Sequence, residues 1–115
     1  MAGDKSQILQ GTLDLMVLKT LGAMGPMHGY GIARRIEQVS EESLLINQGT
    51  IYLCLIRLVQ KGWILDEWGV SENNRKAKFY SISKAGRKQL AAETEKWERI
   101  AGTIGRLLEL SPRRP

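Results

Sequence analysis

Residues 47–82 read NQGTIYLCLIRLVQKGWILDEWGVSENNRKAKFYSI. Two periodicities meet in this stretch. Asn47 is a good N-cap, and Ile51, Leu55, Leu58 and Val59 then recur at three- and four-residue steps, the mark of a helix with one buried face. It runs to about Lys61, and Gly62 stops it. From Trp63 to Trp68, and again from Lys76 to Ile82, the residues are aromatic and branched, so both pieces read as strands. Gly69 to Arg75 between them is a polar turn segment. The stretch predicts a helix followed by a hairpin with a long, basic-tipped loop.

Upstream lie two more helices. The nearer runs from about His28 to Ser40, with Ile32, Ile36 and Val39 inward and Arg34, Arg35, Glu37 and Gln38 facing water. Gly29 and Gly31 near its start let a backbone or a phosphate come close. Only the short linker Glu41–Ile46 separates it from the third helix. The first helix spans Leu9 to Met24. Leu9, Leu13, Met16, Val17, Leu21 and Met24 mark one face, and Leu15 and Leu18 lie on another, the pattern of a helix buried between partners. Ser6 or Thr12 is its expected cap, and Gly22, Gly25 and Pro26 end it.

Downstream, Ser83 caps a final helix that continues to about Leu110, where Ser111 and Pro112 break it. Leu90, Thr94, Trp97, Ala101, Ile104 and Leu108 step by four and three alternately, as in a coiled-coil seam. At about 1.5 Å per residue the helix spans about 42 Å. The preceding part should be only about 30 Å across. The helix therefore overhangs its own domain, and a second copy of the chain is the simplest cover for its seam. The expected division is a head over residues 1–82, a dimerisation helix over 83–110 and a frayed tail over 111–115.

Three helices, a hairpin and a long helix make a mainly helical α+β chain, and a helix-turn-helix followed by a hairpin is the plan of a winged helix. In that plan the third helix enters the major groove of a duplex, about 12 Å wide, while the hairpin flanks the backbone. The charges fit. Arg75, Lys76 and Lys78 gather at the wing, with Asn73 and Asn74 beside them. Phosphates reward such a cluster because each one neutralised releases condensed counterions. Gln48 and Thr50 sit in the first turn of the third helix, near the positive end of its dipole, where they serve either capping or contact with bases and phosphates. Tyr52 either packs on the second helix or bonds a phosphate.

Composition narrows the classes. The chain has 115 residues, with 17 Lys and Arg against 12 Asp and Glu, for a formal charge of +5. That suits one domain and permits an anionic partner. No apolar run approaches the roughly 20 residues of a membrane helix. The polar N-terminus lacks the pattern of a secretion signal, and a single cysteine fits a reducing cytoplasm. His28 alone does not make a metal site, and Cys54 near the apolar stripe reads as inert core. Gly29-Tyr30-Gly31 begins like a dinucleotide fingerprint, but Arg34 replaces its third glycine and no strand precedes it. No nucleophile–base pair is recognisable, so an enzyme is not expected. A winged helix that docks on proteins is the competing class.

The ordered motifs Gly11-Thr12-Leu13-Asp14-Leu15, His28-Gly29-Tyr30-Gly31-Ile32, Gly49-Thr50-Ile51-Tyr52, Arg57-Leu58, Gly62-Trp63-Ile64, Arg75-Lys76-Ala77-Lys78-Phe79-Tyr80 and Ser83-Lys84-Ala85-Gly86 resemble the PadR family of bacterial transcriptional regulators. The likeness covers roughly Leu9 to Leu110. It implies a winged-helix dimer on operator DNA, usually a repressor, of the short branch with a single C-terminal dimerisation helix. In that branch a tryptophan at the position of Trp97 can line a pocket between subunits and stack on flat molecules; plain interface is the other reading of that residue. The family often has proline and a small residue after the tyrosine of the third helix. Leu53 and Cys54 stand here instead, and a more regular helix is expected.

The residues expected at the DNA are His28, Tyr30, Arg34, Gln48, Gly49, Thr50, Tyr52 and Arg57 on the helices, and Asn73, Asn74, Arg75, Lys76 and Lys78 on the wing. Those expected at the dimer contact are Leu9, Leu13, Leu90, Thr94, Trp97, Ala101, Ile104 and Leu108, with Trp97 also the candidate for an effector. The expected partners are double-stranded DNA with a near-palindromic operator, a second copy and a small aromatic effector. No cofactor, metal or membrane is expected.

Overall fold

The computed structural model describes residues 2–113, with side chains described for residues 11–113. The elements run α1 (Ala2–Met24), β1 (Met27–His28), α2 (Gly29–Val39), α3 (Gln48–Gln60), β2 (Ile64–Val70), β3 (Lys76–Ile82) and α4 (Lys84–Leu108). Helix α1 starts well before Leu9, so Thr12 lies inside it rather than at its cap.

Two caps form as the residue types dictate. The Asn47 side chain accepts from the amides of Gly49 at 2.7 Å and Thr50 at 3.2 Å. The Ser83 hydroxyl accepts from the Gly86 amide at 3.0 Å and donates to the Gly62 carbonyl at 2.6 Å. Each satisfies donors that a helix start leaves unpaired. Helix α2 is capped less predictably, by His28, whose Nδ1 accepts from the Gly31 amide at 3.0 Å. Helix α3 is continuous through Leu53 and Cys54.

The wing is the antiparallel pair β2–β3, registered from Ile64 opposite Ile82 to Val70 opposite Lys76. Strand β1 joins its other edge, pairing Met27 with Tyr80 and His28 with Phe79, so the sheet order is β1-β3-β2. Strand β3 has the bounds that the sequence predicts, but β2 runs past Trp68 to Val70, and the loop shrinks to Ser71–Arg75. The Ser71 amide donates to the Arg75 carbonyl at 2.8 Å, and Asn74 takes the left-handed conformation at φ 60°. Asparagine tolerates that region better than most residues.

The core joins α1, α2, α3 and the roots of the wing. Leu18, Leu21, Ile32, Ile51, Leu55, Leu58 and Ile64 are its largest fully enclosed side chains. Each such burial contributes about 1.5–3 kcal/mol. Val39, expected inward, is exposed, and Ala33 takes its place in the core. The root of α4 belongs to this packing. Gly86 lies against the Trp63 backbone so closely that any Cβ would collide with the Trp63 carbonyl, and Leu90 reaches the core near Gly22. Beyond Trp97 the helix leaves the head, and the molecule measures 67 × 30 × 23 Å.

The linker between α2 and α3 is strained. Glu41 and Glu42 both have positive φ, at 56° and 67°. The Glu37 carboxylate ties it down, accepting from the Ile46 amide at 2.9 Å.

Candidate nucleic-acid interface

The first turn of α3, the start of α2 and the wing converge on one cavity of about 440 Å³. His28 and Tyr30 line it from the α2 side, Gln48 and Tyr52 from α3, and Asn73, Arg75, Lys76 and Lys78 from the wing. Eight residues singled out in the sequence are therefore neighbours in space. Because Asn47 supplies the α3 cap, that role does not fall to Gln48 or Thr50, and Gln48, Gly49 and Thr50 are all exposed. Tyr80 forms part of the cavity wall; burial pushes its hydroxyl above the ordinary tyrosine range.

The wing organises its cations on an aromatic plate. Two-residue alternation puts Trp68 beside its register partner Lys78, and the ammonium groups of Lys76 and Lys78 lie 5.1 and 5.2 Å from the centroid of that ring. Such contacts hold a cation in place while leaving it charged. Lys78 also approaches the Asp66 carboxylate at 3.3 Å. Arg75 and Lys76 have no carboxylate partner among the described residues. Sequence reasoning did not assign Trp68; the signal was its place on the same strand face as Lys78.

His28 is more constrained than expected. Its Nδ1 caps α2, and its ring meets Phe79 edge-on at 5.7 Å, so it shapes the cavity wall. Tyr30, stacked beyond it at 6.4 Å, is exposed. Arg34 borders an adjoining cavity of about 450 Å³ with Tyr30 and Asn73, but its guanidinium donates to Glu42 at 2.9 Å and reaches Glu37 at 3.4 Å.

Arg57 is a correction. It does not face the groove but turns to α1, where its guanidinium donates to Asp14 Oδ1 at 2.6 Å. The Cys54 thiol donates to the same oxygen at 3.1 Å. Burial, reinforced by Asp14, pushes that thiol far above its ordinary range and keeps it protonated. Arg57 thus joins α3 to α1, and its Nε is buried without a partner.

These features match known proteins as a whole. Residues 17–92 match the Transcriptional regulator PadR-like family. The chain belongs to the PadR family. It is 27% identical to an uncharacterised protein of Lysinibacillus sphaericus over 105 residues, covering 91% of this chain and 95% of that one. A transcriptional regulator from Clostridium thermocellum shares its fold at a TM-score of 0.79 and 26% identity, over 90% of this chain and 96% of that one. A PadR-like regulator from Bacillus cereus does so at 0.78 and 24%, over 91% and 99%. PadR-like regulators are non-enzymatic transcription factors that bind DNA and generally dimerise. Among the described residues, no helix is long and apolar enough to cross a membrane.

In this PadR chain the far half of α4 carries exposed apolar side chains. Trp97 is 49% exposed and Ile104 is 48% exposed; Ala101 and Leu108 are exposed as well. Ile100 and Leu107, which the alternating four-and-three pattern omits, widen the stripe. Its opposite side carries the ion pair Glu95–Arg99 at 2.8 Å. Thr94 is half-buried, its hydroxyl donating to the Leu90 carbonyl at 2.7 Å. Leu13 is a second correction. It is only 4% exposed, enclosed in the core of its own chain, and cannot meet a partner. The Leu9 side chain lies outside the described residues. Trp97 also borders an apolar cavity of about 560 Å³ between α1, α2 and α4, which takes in Met24 and Val39.

Proposed function

We propose that this chain is a homodimeric repressor that reads a near-palindromic operator through α3 and grips the flanking phosphates with its wing. One observation carries the reading. The first turn of α3 and a wing whose Arg75 and Lys76 lack carboxylate partners among the described residues open onto the same cavity. Free cations beside an exposed helix start suit a phosphate backbone, and the helix suits the groove between the strands. In this reading residues 1–82 are the head and 83–110 the dimerisation helix, with Leu90, Thr94, Trp97, Ala101, Ile104 and Leu108 in the contact. Gln48, Gly49, Thr50 and Tyr52 face bases and near phosphates. Asn73, Asn74, Arg75, Lys76 and Lys78 hold the backbone, while His28, Tyr30 and Arg34 flank it.

The apolar cavity beside Trp97 supports a second element, release by a small planar molecule. Such a compound would stack on the indole and change how the two rods meet. Quenching of Trp97 fluorescence together with loss of bound duplex is the expected sign; quenching that leaves the duplex bound would exclude a regulatory role.

The test of DNA binding is an anisotropy titration of a labelled duplex from the region upstream of the chain's own coding sequence, at two salt concentrations. Binding should outlast competition by unrelated duplex and weaken steeply with salt. In a reporter fused to the same region, expression should fall when the chain is supplied. Equal affinity for any duplex, or none at low salt, would overturn the reading.

A further inference from the structure

Helix α3 carries a single charged residue between Gln48 and Gln60, Arg57, and Asp14 holds it against α1. What the helix exposes instead is apolar. Leu53 is 62% exposed and Ile56 37%, both on the side opposite the buried Ile51, Cys54, Leu55 and Leu58, with Tyr52 beside them. Apolar side chains on that face gain nothing from water and call for an apolar cover. Tyr52, next to Leu53 on the helix, lines the cavity that Gln48, Arg75 and Lys76 share. An apolar patch beside a cationic cavity is complementary to one surface in particular. A major groove presents thymine methyl groups on its floor and phosphates along its edges.

We infer that Leu53 and Ile56 are specificity residues that read thymine by packing on its 5-methyl groups. The inference rests on the DNA reading above and deepens it. No arginine or lysine side chain is available on the outward face of α3 to bond the O6 and N7 of guanine. The half-site is therefore built around A·T pairs. Gln48 bonds an adenine edge, and the two aliphatic side chains, more than one helical turn further on, cover methyl groups along the groove.

The probe is a duplex selected by the full chain from a randomised 24-base-pair library, then resynthesised with deoxyuridine in place of each thymine of one half-site in turn. Uracil keeps the base pairing and removes only the methyl. Affinity should fall about fourfold for each methyl covered. The L53A/I56A variant should bind the thymine and uracil duplexes equally while keeping the parent's helical circular dichroism and salt dependence. Ile56→Gln, which keeps the volume of an exposed site, should lose only the methyl effect that maps to its own position. Salt-dependent binding with no difference between thymine and uracil would overturn the inference and leave DNA binding intact. So would a selected half-site without thymine. Retention of no duplex at all would overturn both.

Discussion

The head and the rod of this molecule leave different chemistry open. On the rod, the apolar stripe from Trp97 to Leu108 is exposed, with the Glu95–Arg99 ion pair on the opposite side of the helix. On the head a large apolar core is enclosed, and Arg75 and Lys76 of the wing have no carboxylate partner among the described residues, Lys76 resting on the Trp68 ring instead. An open apolar stripe is completed by a similar stripe, and unpaired cations are completed by anions. On the proposed function, the two ends therefore take partners of different chemistry, a second copy for one and a polyanion for the other.

The largest effect should come from spoiling the rod. Ile100→Glu with Ile104→Glu puts two charges where a partner's apolar side chains would enclose them, and self-association should weaken by at least about a hundredfold. Sedimentation velocity should show monomers with unchanged helicity. A dimer of undiminished stability would mean that the stripe on α4 is not where two chains meet.

The next tests whether the head stands on its own packing. Asp14→Ala leaves Arg57 half-buried without its carboxylate. It should cost about 2 kcal/mol and lower the melting temperature by several degrees. Thermal unfolding followed by circular dichroism measures it, and an unchanged midpoint would mean that the contact is idle.

Arg75→Ala with Lys76→Ala sharpens the head's side of the contrast. Affinity should drop by about tenfold for all duplexes alike, and the slope of log affinity against log salt should flatten by about two. Loss confined to one sequence would make these residues base readers instead. The smallest effect is a gain. Glu41→Gly relieves a left-handed residue in the linker and should stabilise the head by about 0.5–1 kcal/mol in chemical denaturation, with DNA affinity unchanged.

How legible this was depended on the range of the interaction concerned. Asn47, Ser83 and Gly62 declare helix ends through local chemistry, and the structure places them there. Strand β1 escaped notice because it has two residues and exists only through pairing with Tyr80 and Phe79, some fifty positions on. Leu13 shows that periodicity announces burial without saying against what. Arg57 shows the same for charge, since its partner Asp14 lies 43 positions away. Nothing in two consecutive glutamates announces positive φ at both. The cavity was legible in its parts, because Gln48, Tyr52, Arg75 and Lys76 were named from residue type and element order. Trp68 was passed over as a strand residue, although its face is the one that carries Lys78.

The most direct measurement of the central claim is the mass of the complex by light scattering after size exclusion, alone and with a duplex from the chain's own upstream region. Two chains are expected in free solution and two chains on one duplex, the complex dispersing as salt is raised. A single chain at micromolar concentration, or a dimer that elutes apart from the duplex even in dilute buffer, would contradict it.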